Sequence, residues 1–218
     1  VELFEYISSS SSIIIREFLN HLKIIGLSLP FSIGIGVPTG IFISRHPKAA
    51  NIVIYIASIL MTIPSLALFG IMVVILSPFG AGLGVTPAVI ALIIYSLLPI
   101  IRNTLVAIQA LDPQMIEAAK GMGMTESQIL FKIRLPLSIP TIMSGVRNAV
   151  VMGVGVATLG YFVASGGLGY FIFAGLSRSR YPMVITGVIL VSILGVLANY
   201  LLLKFEDLIT PKGLKIKE

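Results

Sequence analysis

Long apolar blocks, separated by short polar and charged breaks, dominate the chain. A bilayer core about 30 Å thick needs roughly 20 apolar residues per helix. Five blocks meet that length: 24–43, 51–76, 87–108, 139–161 and 182–205. The first ends on Arg45-His46-Pro47-Lys48 and the second on Ser77-Pro78-Phe79-Gly80. Thr86 is placed to cap the third, with Pro87 in its first turn, where no N–H is required. Ahead of these blocks, Ile14, Ile15, Phe18, Leu19 and Leu22 fall on one helical face. Residues 1–23 therefore predict a separate N-terminal segment lying on the membrane surface or on other protein. The fold class is all-α: five transmembrane helices in a domain over 24–211, followed by a tail at 212–218.

Irregularities are written into the blocks. Pro64 and Pro99 fall inside the second and third and predict kinks, with the hydroxyls of Thr62, Ser65 and Ser96 near the freed carbonyls. Gly145, Ala149, Gly153 and Ala157 recur every fourth residue in the fourth, and Ser32, Gly36 and Gly40 in the first. Such ladders let helix backbones approach closely in lipid. Thr62, Pro64, Ser65, Pro99, Asn148 and Gly153 are the candidates for kinks or for the lining of a path.

Composition excludes a water-facing globule. Hydrophobic residues make up 56% and charged residues 11%, with a mean hydropathy of +1.04; soluble domains run near 25% charged. The net charge of +6 sits between apolar blocks, as in loops beside anionic lipid, so nucleic acid is not expected as a partner. If the 109–138 connection is cytoplasmic, ten Lys and Arg lie inside and four outside. That count predicts an outer N-terminus and an inner C-terminus. Arg102 and Arg147 fall inside blocks near their inner ends, where they can snorkel. No small-residue cleavage site follows the first block, so no removable leader is expected. The chain has no Cys, and neither a cofactor nor a metal is expected in it.

The 112–136 connection is the most structured loop. Asp112-Pro113 is a helix start, and Gly121 and Gly123 offer an end. Thr125-Glu126-Ser127-Gln128 is a capping box that opens a second short helix, which Pro136 and Pro140 close. Two short helices joined by a glycine turn make a knob suited to a groove on a partner.

Glu117-Ala118-Ala119, then Gly123 after three residues, then Ile133, Leu135 and Pro136 after nine more, resemble the EAA loop of binding-protein-dependent ATP-binding-cassette importers. The resemblance implies the transmembrane domain of a type I importer, in the plasma membrane of a prokaryote. It implies that Glu117, Ala118 and Ala119 lie on a coupling helix that docks on an ATPase, with small alanines allowing close approach and Gly123 making the turn. Its implied partners are two ATPase subunits carrying ATP and Mg, a second permease copy or a homologous one, and an extracytoplasmic substrate-binding protein. The chain carries no G-x-x-x-x-G-K-[ST] loop, so it is expected to be a transport subunit and not an enzyme.

Gly36-Val37-Pro38-Thr39-Gly40 with Ser44-Arg45, residues 62–68 and residues 98–104 look like the osmoprotectant subgroup, importers of glycine betaine, carnitine, choline and proline betaine. Residues 164–169 fit too, but resemble methionine permeases as well. The alternative cargo is another small solute, such as an amino acid or an ergothioneine-like betaine. A quaternary ammonium is held by aromatic faces, yet Tyr55, Tyr95, Tyr161, Tyr170 and Tyr181 form no obvious cage and Trp is absent. An ion-coupled transporter needs ionisable groups at membrane depth, and no acidic residue lies well inside a block.

Overall fold

Lipid offers backbone groups no partners, so a spanning chain must bond to itself, and helices do so within one segment. The computed structural model describes residues 2–210, and every regular element in that range is helical. The order is α1 (Glu2–Ser9), α2 (Ser11–Ile43), α3 (Pro47–Thr62), α4 (Ser65–Leu76), α5 (Val85–Gln109), α6 (Pro113–Gly121), α7 (Glu126–Ile129), α8 (Leu135–Val156), α9 (Gly169–Ser177) and α10 (Tyr181–Ile209). Four helical stretches are long and apolar enough to span by themselves: Ser11–Ile43, Val85–Gln109, Glu126–Val163 and Tyr181–Ile209. The bent pair of α3 and α4 makes a fifth. The expected tail at 212–218 lies outside the described residues.

Several boundaries differ from the sequence reading. The expected N-terminal segment shortens to α1, because residues 11–23 are the first turns of α2. Ile14 and Phe18 pack there against a cluster holding Leu168, Phe171 and Met183. At 33 residues α2 is about 50 Å long, well beyond the hydrocarbon core. α5 begins at Val85, capped by Gly84 and not by Thr86. The expected outer loop after 161 contains α9, whose Phe171 is fully buried.

The second block breaks where a kink was expected. α3 and the stretch beginning at Ser65 meet at 98°. Proline disfavours helical backbone at the residue before it, and Ile63 takes φ −62°, ψ 126°. The Ile63 carbonyl, left outside either helix, accepts from the Tyr95 hydroxyl on α5. Two of the hydroxyls expected to serve the prolines work locally instead. Thr62 Oγ1 donates to the Ile59 carbonyl and Ser96 Oγ to that of Leu92.

α5 is the central helix, flanked by α2 and α8, and the small-residue ladders form its seams. Ser32, Gly36, Gly40, Gly145, Ala149, Gly153 and Ala157 are all buried. A Cβ on Gly40 would stand 2.5 Å from Cβ of Thr104, and one on Gly145 2.8 Å from the Pro99 carbonyl oxygen. Only glycine permits those approaches.

Two acidic residues are more deeply placed than the sequence indicated. Glu17 is buried on α2; its carboxylate takes the Arg16 side chain at 2.9 Å and the Gly167 N–H at 2.8 Å. One turn on, buried His21 accepts the Leu168 N–H at Nδ1 (3.2 Å) and, through Nε2, donates to the Val154 carbonyl (3.1 Å). Glu206 on α10 pairs with Arg147 on α8 at 2.7 Å. Arg147 is thus held by a partner across the helix seam and does not snorkel to the surface. A carboxylate paired in this way matches the charge of its partner.

Candidate functional site: a two-helix knob

The 112–136 loop folds as α6 and α7 around a small core of their own. Asp112 caps α6, its carboxylate accepting from the Gln114 N–H at 2.8 Å, with Pro113 in the first turn. α6 ends in a Schellman turn: Gly123 N–H donates to the Lys120 carbonyl and Met124 N–H to that of Ala119. Gly123 supplies the left-handed residue this turn needs, at φ 80°. Gly121 is the last residue of α6 and takes no such conformation. Thr125 and Gln128 close the capping box reciprocally, at 3.3 and 2.9 Å.

α7 does not stop at a proline. It passes through a π-helical turn, Leu130–Arg134, directly into α8, with Pro136 in the first turn of α8 and Pro140 inside it. Pro136 has no N–H to continue an α-helical ladder. The widened turn before it shifts the bonding, so that the Leu135 N–H reaches the Leu130 carbonyl. The knob is thereby joined to the fourth span as one helical body.

The EAA-like residues divide into two groups. Ala119 packs with Ile116 and Ile129, and Ile133 leans on the same cluster. Gly123 makes the turn, and Leu135 and Pro136 are half-buried at the entry to α8. These residues build the knob. Glu117 and Ala118 point outward. Ala119 was expected on the docking face with Ala118, but successive helical residues are about 100° apart. Ala119, three positions after Ile116, faces inward and is 1% exposed. Met115 and Met122, which the sequence reading passed over, are exposed three residues before and four after Ala118, on its side of α6. Lys120 and Glu126 tie α6 to α7 at 3.0 Å across a solvated surface. Among the described residues Glu117 has no such tie.

The path candidates are only partly together. Thr62, Pro64 and Ser65 surround the break between α3 and α4. Tyr95, which the sequence left unassigned, binds that break from α5, and Pro99 lies one turn further along the same helix. Asn103 Nδ2 donates to the Pro99 carbonyl at 2.8 Å. Asn148 is exposed on α8. Gly153 is buried, and a Cβ there would meet only the Leu92 side chain, at 3.8 Å. It belongs to the α5–α8 seam and not to an open path.

A multi-pass helical protein with a preformed two-helix knob continuous with one span has the build of a membrane subunit that offers a partner a docking element. Residues 32–212 match the family of binding-protein-dependent transport system inner membrane components, and the chain belongs to it. It is 39% identical over 215 residues to the osmoprotectant import permease protein OsmW of Salmonella typhimurium, covering 99% of this chain and all of that one. It is 42% identical over 195 residues to the carnitine transport permease protein OpuCB of Listeria monocytogenes, covering 89% and 87%. Its fold is that of the inward-facing MetNI methionine ABC transporter, with a TM-score of 0.82 at 24% identity over 93% of this chain and 99% of that one. The chain is a permease subunit of an importer that works with ATPase and binding-protein partners.

Proposed function

We infer that this permease serves an ATP-driven importer of osmoprotectant quaternary amines: glycine betaine, carnitine, choline and proline betaine. End-to-end likeness to an osmoprotectant permease carries this reading. Two ATPase subunits hold ATP and Mg, and this chain supplies no hydrolytic site of its own. Each ATPase takes one knob through Glu117, Ala118, Met115 and Met122. The knob is continuous with α8, so its displacement tilts the fourth span with little loss in bending. A second permease, identical or homologous, completes the path. The N-terminus lies outside and the C-terminus in the cytoplasm, where the Lys and Arg excess is expected.

The test is uptake of labelled glycine betaine by cells carrying the whole transporter, in competition with choline, carnitine and proline betaine. Competition by at least one of these supports the substrate class. Uptake of an amino acid that no quaternary amine reduces overturns it.

A further inference from the structure

Asn51, Tyr55, Ser58 and Thr62 recur along α3 at spacings of four, three and four, which is one helical face. Asn51, Tyr55 and Thr62 are exposed on the protomer, and Ser58 is half-buried. Ala50 and Ala57 are buried on another side of α3, and Ala50 packs with Ile101 and Leu105 of α5. Polar side chains on a spanning helix face protein or a water-filled cavity and avoid lipid. Such a face suits an interior space of the assembled transporter. It ends at Thr62, where the helix breaks at Ile63-Pro64.

Arg102 of α5 opens into the same place. It lines a cleft of about 490 Å³ with Asn51, Tyr55 and Ser58, walled by Ile54 and Val106. Arg102 lies seven residues before the end of α5, roughly 10 Å along the axis. Among the described residues it makes neither an ion pair nor a hydrogen bond, unlike Arg147. Arg102 is exposed on the protomer, so its guanidinium is free to take an anionic partner entering the cleft, and its planar fork fits a carboxylate. The Tyr55 ring, 69% exposed, offers a face to a quaternary ammonium. A cation site and an anion site in one cleft match a zwitterion.

We propose that this cleft is a substrate contact on the translocation path for zwitterionic quaternary amines, with Arg102 taking the carboxylate and Tyr55 the ammonium. The proposal rests on the osmoprotectant reading above and deepens it. Betaines and carnitine use both contacts. Choline has no carboxylate and uses Tyr55 alone.

The test is uptake by the complete transporter, with variants compared at equal amounts of complex co-purified with the ATPase. Arg102→Gln is expected to lower glycine betaine and carnitine uptake on the order of tenfold or more, the weight of a charged hydrogen bond. Choline uptake is expected to hold or rise, and Arg102→Lys to keep part of the betaine uptake. Tyr55→Leu lowers uptake of every quaternary amine, while Tyr55→Phe, which keeps the ring, does not. If the wild type carries no choline, the contrast between Arg102→Lys and Arg102→Gln on betaine decides. Wild-type betaine uptake with Arg102→Gln unchanged, or with choline falling equally, overturns the carboxylate contact alone. A wild type that carries no quaternary amine overturns the substrate reading and this proposal with it.

Discussion

At the scale of single residues, the knob depends on conformation at one position. Gly123 stands at φ 80° with nothing within 4 Å of the place a Cβ would occupy, so a side chain there has room but the wrong backbone. Gly123→Ala is expected to cost about 1–2 kcal/mol of local stability, the ordinary cost of a left-handed L-residue. Gly123→Val costs more, because its branched Cβ is stiffer. Gly123→Asn, which tolerates this region, retains most of the wild-type behaviour. ATPase co-purified per permease orders the three variants as Asn, Ala, Val. Equal recovery from all three would mean that the turn does not shape the docking surface. Thr125→Ala removes half of a capping box and is expected to cost about 1 kcal/mol. Hydrogen exchange confined to α7 reads that loss.

Among the elements, seams built from glycine separate into tight and loose contacts. A Cβ on Gly40 meets Thr104 at 2.5 Å and the Ile101 carbonyl at 3.0 Å, and that backbone cannot rotate away. Gly40→Val therefore forces α2 from α5 and is expected to cost about 1–3 kcal/mol, the range for an overpacked core. Gly153→Ala makes ordinary contact with Leu92 and gains about 0.5–1 kcal/mol of helix preference. Melting of the detergent-solubilised complex should fall for the first and hold or rise for the second. The α8–α10 pair behaves differently: Glu206→Gln leaves the Arg147 charge unmatched and is expected to cost about 2 kcal/mol. Replacing both partners with apolar residues costs less than removing one, and the same melts compare the single and double variants.

The element scale also shows why some features were readable in the chain and others were not. Spans of apolar residues and the caps at Asp112 and Thr125 are local, so hydropathy and spacing find them. The break at Ile63-Pro64 needs Tyr95, and its hydroxyl comes from 32 residues away. The turn before α9 is pinned by Glu17 and His21, 150 and 147 residues distant. No window along the sequence contains both partners. The inward turn of Ala119 was within reach: its spacing from Ile116 places both on one face, but the E-A-A pattern drew the two alanines together.

Over the whole molecule, the proposed docking of an ATPase on the knob draws on how the knob joins the membrane domain. The continuity of α7, the π turn and α8 makes the knob the handle of a span and not a tethered loop. Because the chain has no cysteine, single engineered thiols report contact without background from this subunit. The decisive measurement is site-specific cross-linking of the assembled transporter from Ala118→Cys, with Ala119→Cys as the buried counterpart. Ala118→Cys should join the ATPase subunit in high yield, and Ala119→Cys, shielded by Ile116 and Ile129, should not. An ATPase that cross-links readily from elsewhere on this chain while Ala118→Cys stays unreacted would contradict the assignment.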